Sequence, residues 1–163
     1  MRSLIILASA LMLGACQSSF YNHVPESDAA TLVFSSNNQA VQPMVCVPGQ
    51  GFKDTRYAVG RSGSQLSDEL AEVLHKRNEV EVTVNPSEHT VVAFRFRQAN
   101  RSGRANRCRV ATTFPTQAGQ AYQVRFIRES SACHISVIPL DDQEKLPIDD
   151  TSQRVSHHPE CSP

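Results

Sequence analysis

The 163-residue chain has no tryptophan, only 6% aromatic residues and no net charge, sixteen Lys and Arg balancing sixteen Asp and Glu. Each shortage removes a class of function. Zero net charge argues against a general polyanion or nucleic-acid binder, whose footprint is a basic excess. Aromatics that do not interleave with the basic residues leave no stacking platform for single-stranded nucleic acid. Long apolar runs are also missing. After residue 15 no stretch approaches the roughly 20 apolar residues of a membrane-crossing helix. Catalytic patterns fail in their details. Gly60-Arg61-Ser62-Gly63-Ser64 has its last glycine one position early for a nucleophile elbow. Gly49-Gln50-Gly51 lacks the third glycine and the strand-to-helix setting of a phosphate cradle. Neither Cys133-His134 nor His157-His158 fits a zinc spacing, and Asp141-Asp142 and Asp149-Asp150 read as solvated neighbours. With no nucleophile, base and orienter in reach of one another, the sequence predicts no enzyme, no metal and no cofactor.

What is present begins at the amino terminus. Arg2 is the only charged residue before Cys16, and Leu4 to Leu13 form an apolar run broken only by Ser9. The run is too short to span a bilayer and has the length of a secretory h-region. Leu13-Gly14-Ala15-Cys16 resembles the lipobox of bacterial lipoproteins. That resemblance implies a signal peptide over residues 1–15 and a diacylglycerol thioether on Cys16. It also implies acylation, palmitate included, of the freed amine. Several acyl chains, each buried methylene adding about 0.8 kcal/mol, anchor a protein stably. Gln17, standing where an aspartate would signal inner-membrane retention, points to the outer membrane, with the domain expected on its periplasmic face.

Removing residues 1–15 leaves 148 residues, enough for one domain with a core. Residues 16–29 are polar and read as a tether. Residues 141–163 are acidic, then polar, and read as a tail. Between them, over residues 30–140, alternation at period two recurs seven times. It runs through Thr31–Phe34, Met44–Val47, Glu79–Val84, Thr90–Arg97, Cys108–Phe114, Tyr122–Phe126 and Cys133–Val137. Seven strands separated by turn residues predict a mainly β fold, an antiparallel β-sandwich. Leu66, Leu70, Val73 and Leu74 recur at helical spacing between Ser64 and Arg77, which predicts one short amphipathic helix packed on a sheet.

With Cys16 assigned to lipid, Cys46, Cys108, Cys133 and Cys161 remain, and in an exported chain an even number reads as two disulfides. Strand parity puts Cys46 with Met44, Cys108 with Val110 and Cys133 with Ile135, all three expected toward the core. Cys108 and Cys133 bracket an expected hairpin whose turn is Pro115 to Gln120. This favours Cys108–Cys133 with Cys46–Cys161, while a bridge from Cys46 to Cys108 or Cys133 stays open.

Two local motifs add a resemblance. Asn85-Pro86-Ser87-Glu88-His89-Thr90-Val91 and Gln117-Ala118-Gly119-Gln120-Ala121-Tyr122-Gln123-Val124 resemble turns of PEGA-type small β-sandwich domains, with Ser87 departing from the glycine that family favours. The resemblance implies a non-catalytic envelope module.

One feature stands apart. Arg95, Arg97, Arg101, Arg104, Arg107 and Arg109 fall within fifteen residues that hold no acid. Arginine makes bidentate contacts to phosphate and carboxylate. In an envelope those anions are lipid headgroups, lipopolysaccharide phosphates and peptidoglycan carboxylates. The plain reading of the segment is a solubilising loop; the sharper one is an anion-contact surface. The expectation is a lipid-anchored structural or binding module. The alternative is an inhibitor or accessory protein docking on an envelope enzyme, as lysozyme inhibitors do.

Overall fold

Alternating apolar and polar residues send one side of each strand toward a shared interior. The computed structural model, which describes residues 20–38, 40–60, 68–99, 105–130, 132–140 and 161, shows the result as two packed sheets. The strands are β1 (Ala30–Ser36), β2 (Val41–Val47), β3 (Gly51–Asp54), β4 (Ala58–Val59), β5 (Lys76–Arg77), β6 (Val80–Val84), β7 (Ser87–Ala99), β8 (Ala105–Thr116), β9 (Ala121–Glu129) and β10 (Ala132–Pro139). One sheet has the order β10-β9-β1-β6; the other runs β5-β4-β2-β7-β8, with β3 also on β2. All seven expected strands are present, and β3, β4 and β5 are additional. The sandwich is mixed rather than purely antiparallel, because β1 pairs with β9, and β4 with β5, in parallel.

The interior is apolar and aromatic. Leu32, Phe34, Val82, Val124 and Phe126 from one sheet meet Val41, Val45, Val92, Phe94 and Phe96 from the other, all at 2% exposure or less. Phe94 is central: its ring is edge-on to Phe34 at 5.5 Å and tilted against Phe126 at 5.5 Å. Burying each such side chain contributes roughly 1.5–3 kcal/mol. Pro43, which has no N–H to give a sheet, sits in β2 between the pairings Val41–Val59 and Met44–Asp54, where the neighbouring strand changes from β4 to β3. Its carbonyl accepts from the Thr55 N–H at 3.0 Å.

The disulfides are Cys46–Cys161 and Cys108–Cys133, with Cα separations of 5.4 and 6.5 Å. The favoured pairing holds, but no hairpin brings Cys108 and Cys133 together. β8 and β9 form no hairpin: β8 pairs with β7, and β9 with β1 and β10. The segment around Gly119 (φ 72°) instead arches from one sheet to the other, its N–H donating to the Ala29 carbonyl at 2.9 Å. Cys108–Cys133 therefore staples β8 of one sheet to β10 of the other. Cys46 also departs from expectation. It shares a face with Met44, and Met44 is buried outside the main core, in a small cluster with Ala93, Ala111 and the half-buried Phe52. Both faces of β2 are covered, so parity alone cannot say which face looks inward.

The short helix α1 covers Asp68–Val73; Ser64 and Leu66 lie outside the described residues. It does not pack its apolar stripe on a sheet, since Leu70, Val73 and Leu74 are 48%, 76% and 45% exposed. Six residues cannot hold a helix by backbone bonds alone. The Leu74 N–H donates to Leu70, and the Glu72 carboxylate accepts from the Tyr57 hydroxyl at 2.9 Å.

The end of the stretch read as a tether is docked. Phe20 bridges to Asp54 at the end of β3, and from Tyr21 to Val24 the chain lies along β6. The Tyr21 hydroxyl donates to the Thr83 carbonyl at 2.9 Å, the Thr83 hydroxyl to the Val24 carbonyl at 2.6 Å, and the Thr83 N–H to His23 Nδ1 at 3.3 Å. Burial without a charged partner pushes the Tyr21 hydroxyl up to about 12. A strap of this kind occupies backbone groups that an edge strand would otherwise present to another chain.

Candidate functional site

The strands β7 and β8 are the longest among the described residues, 13 and 12 residues, and pair from Thr90–Phe114 out to Ala99–Ala105. Their partner β2 stops at Val41, opposite Phe96, so the ribbon continues past the body of its sheet. Period two divides its residues. Val92, Phe94, Phe96 and Val110 face the other sheet and are buried; Arg95, Arg97, Arg107 and Arg109 face outward and are exposed.

Register then decides the electrostatics. Arg95 stands directly opposite Arg109, and Arg97 directly opposite Arg107. Facing side chains in an antiparallel pair have Cβ atoms about 4.5–5.5 Å apart, and like charges there are destabilising. Four guanidiniums thus share one small outer surface. Arg95 Nη2 meets Asp54 Oδ2 at 2.7 Å, with the side chains 55% and 31% exposed. Such an exposed pair is worth only about 0.2–1 kcal/mol. Arg109 lies over the Phe52 ring at 5.3 Å, a contact that orients the guanidinium and leaves its charge in place. Among the described residues no carboxylate pairs with Arg97, Arg107 or Arg109. Subtracting Asp54 from the four arginines leaves a local charge of +3.

Of the six arginines singled out in the sequence, the structure brings together Arg95, Arg97, Arg107 and Arg109. Arg101 and Arg104 lie outside the described residues, as does the lipidation candidate Cys16. Sequence reasoning missed Arg128, which comes from β9. Its guanidinium lies over the Phe96 ring at 4.8 Å and donates to Gln98 Oε1 at 3.4 Å, a cation at the ribbon's far end on its inner side, away from the four outward arginines. One signal could have flagged it: no carboxylate occurs between Glu88 and Glu129.

Other concave regions are open and structural in character. A groove of about 1380 Å³ runs between β4 and β6, lined by Tyr21, Tyr57, His75 and Arg77. There Arg77 stacks on the Tyr57 ring at 4.2 Å, and Glu72 takes the Tyr57 hydroxyl bond. A second groove of about 990 Å³ is lined by Cys46, Val47, Val84 and Pro86. Among the described residues no three His, Cys, Asp or Glu side chains come together in a way that could hold a metal ion. No helix among them is long and apolar enough to cross a membrane.

No known protein family matches the chain, and no curated protein is similar to it.

Proposed function

We propose that the chain is a non-enzymatic lipoprotein of the bacterial envelope, held at the outer membrane through acylated Cys16, and that it acts as a binding module for anionic groups. The observation that carries this reading is the facing pairs Arg95–Arg109 and Arg97–Arg107. Their mutual repulsion costs stability, and Asp54 offsets it at one of the four positions. Phosphate or carboxylate supplied from outside relieves that repulsion and uses the bidentate donors that arginine offers. The leader Leu13-Gly14-Ala15-Cys16 supports the location.

Co-sedimentation tests the reading. Wild-type protein and the Arg97→Ser/Arg107→Ser double variant are spun with anionic phospholipid vesicles, lipopolysaccharide and peptidoglycan sacculi in separate arms. Circular dichroism confirms that the variant is folded. Binding in at least one arm that drops in the variant supports the proposal, and the arm identifies the source of the anion. Equal sedimentation of both proteins in every arm removes the arginine face from consideration.

A further inference from the structure

We infer that the anions met by the arginine face are the headgroup phosphates of the same membrane leaflet that holds the Cys16 acyl chains, so that the domain lies with the outer side of β7 and β8 against its own membrane. This inference rests on the reading of Cys16 as the anchor and of the arginines as an anion-contact surface.

The geometry starts at Phe20. It bridges in parallel to Asp54, and the Tyr21 N–H donates to the Asp54 carbonyl at 2.8 Å. The same Asp54 reaches Arg95 through its carboxylate at 2.7 Å. One residue thus joins the point where the amino-terminal strap begins to the cationic face. Cys16 precedes Phe20 by four residues. Four residues, whatever their conformation, span at most about 14 Å, because a fully extended chain covers no more than roughly 3.6 Å per residue. A bilayer surface at Cys16 is therefore within about 14 Å of Phe20, next to Asp54 and Arg95.

Two more observations point the same way. Phe20 is 49% exposed, and an exposed phenyl ring beside a membrane surface can be buried at the headgroup–acyl boundary. The surface around Asp54, Arg95, Arg97, Arg107 and Arg109 carries a net +3, and basic residues held close to an anionic leaflet are attracted to its headgroups. Other anionic partners gain no comparable advantage from the short reach of the chain. The headgroup layer is at high effective concentration beside the face as soon as the acyl chains insert.

The absence of tryptophan gives a clean test. The acylated full chain, with Phe52→Trp on the arginine face or Ile138→Trp on the outer side of the opposite sheet, is reconstituted into phosphatidylcholine vesicles with and without phosphatidylglycerol. The vesicles carry a phospholipid with a nitroxide on its headgroup. Thr113→Trp, also on the outer face of β8, serves as a second reporter if Phe52→Trp disturbs Arg109. Intact mass gives the acylation state of Cys16. In mixed vesicles, quenching of the tryptophan at position 52 or 113 is expected to exceed that at position 138. It should fall to the level of position 138 without phosphatidylglycerol, at about 0.5 M salt, where the screening length shrinks to a few ångströms, or with Arg97→Ser/Arg107→Ser. Equal quenching of the two sides overturns the inference, as does quenching indifferent to charge and salt, or an unacylated Cys16. Arginine-dependent binding to sacculi, combined with no excess quenching at positions 52 and 113, overturns this inference and leaves the anion-binding reading standing.

Discussion

The two faces of the β7–β8 ribbon use alternate residues of the same strands and obey opposite rules. On the inner face Phe94 and Phe96 sit at 0% and 2% exposure among other rings, and Cys108 on that face joins the disulfide to β10. There, size and shape decide which residues fit. On the outer face the register sets arginine against arginine, which no stability argument favours. The difference teaches where to look: a residue whose identity opposes folding, in strands otherwise consistent with it, marks a surface kept for another purpose.

The largest effects are expected from the inner face. Phe94→Ala removes a ring packed on Phe34 and Phe126 and should cost about 3–5 kcal/mol, measured by urea unfolding. If the double arginine variant costs as much, the two faces are not distinct. Next comes the staple between the sheets. Replacing Cys108 and Cys133 together by Ser opens a loop of 25 residues and should cost about 3.5 kcal/mol by chain entropy. The same loss should follow when wild type is unfolded in reductant, enlarged there by the second bridge. A much smaller shift would mean that the sheets hold together without the bond.

On the outer face the sign should reverse. Arg97→Ser/Arg107→Ser relieves a facing like-charge pair and should stabilise by about 0.2–1 kcal/mol at low salt, with the gain shrinking as salt rises. Destabilisation would show that the arginines support the fold. The smallest effect is nil at neutral pH and appears in alkali. The Tyr21 hydroxyl stays protonated in the folded state up to about 12, while in the unfolded chain it ionises near the ordinary phenol value of 10.0. Its contribution is therefore fully present below pH 10 and is lost as pH rises through about 12. Phenolate absorbance in the folded protein should show a step near pH 12, and Tyr21→Phe should abolish that step. An unchanged titration would mean that the strap along β6 is loose.

Much of this architecture is readable in the chain, because period-two alternation is a direct print of a half-buried strand. The runs Thr90–Arg97 and Tyr122–Phe126 announce both their state and their inward faces, and the acid-free arginine stretch announces the candidate surface. Other features depend on partners distant in sequence. β4 and β5 have two residues each and no pattern to read. The exposed stripe of α1 carries a helical period, but period reports shape and not what covers it. Cys46 stands in a strand with buried residues on both faces, so alternation does not say which face looks inward, and its neighbour Phe52 comes from the next strand. Arg128 joins the ribbon only because β9 belongs to the facing sheet. The arginines could be counted from sequence; the fact that they confront one another pairwise could not.

The bond between Cys46 and Cys161, 115 residues apart, has a consequence for integrity. It closes most of the chain into one large covalent ring, with the smaller ring from Cys108 to Cys133 nested inside. A single protease cut between Cys46 and Cys161 therefore yields no separable fragment. The nicked chain remains one molecule on a non-reducing gel and falls into two pieces only when a reductant is added. Damage to a loop inside that ring then need not release any part of the domain.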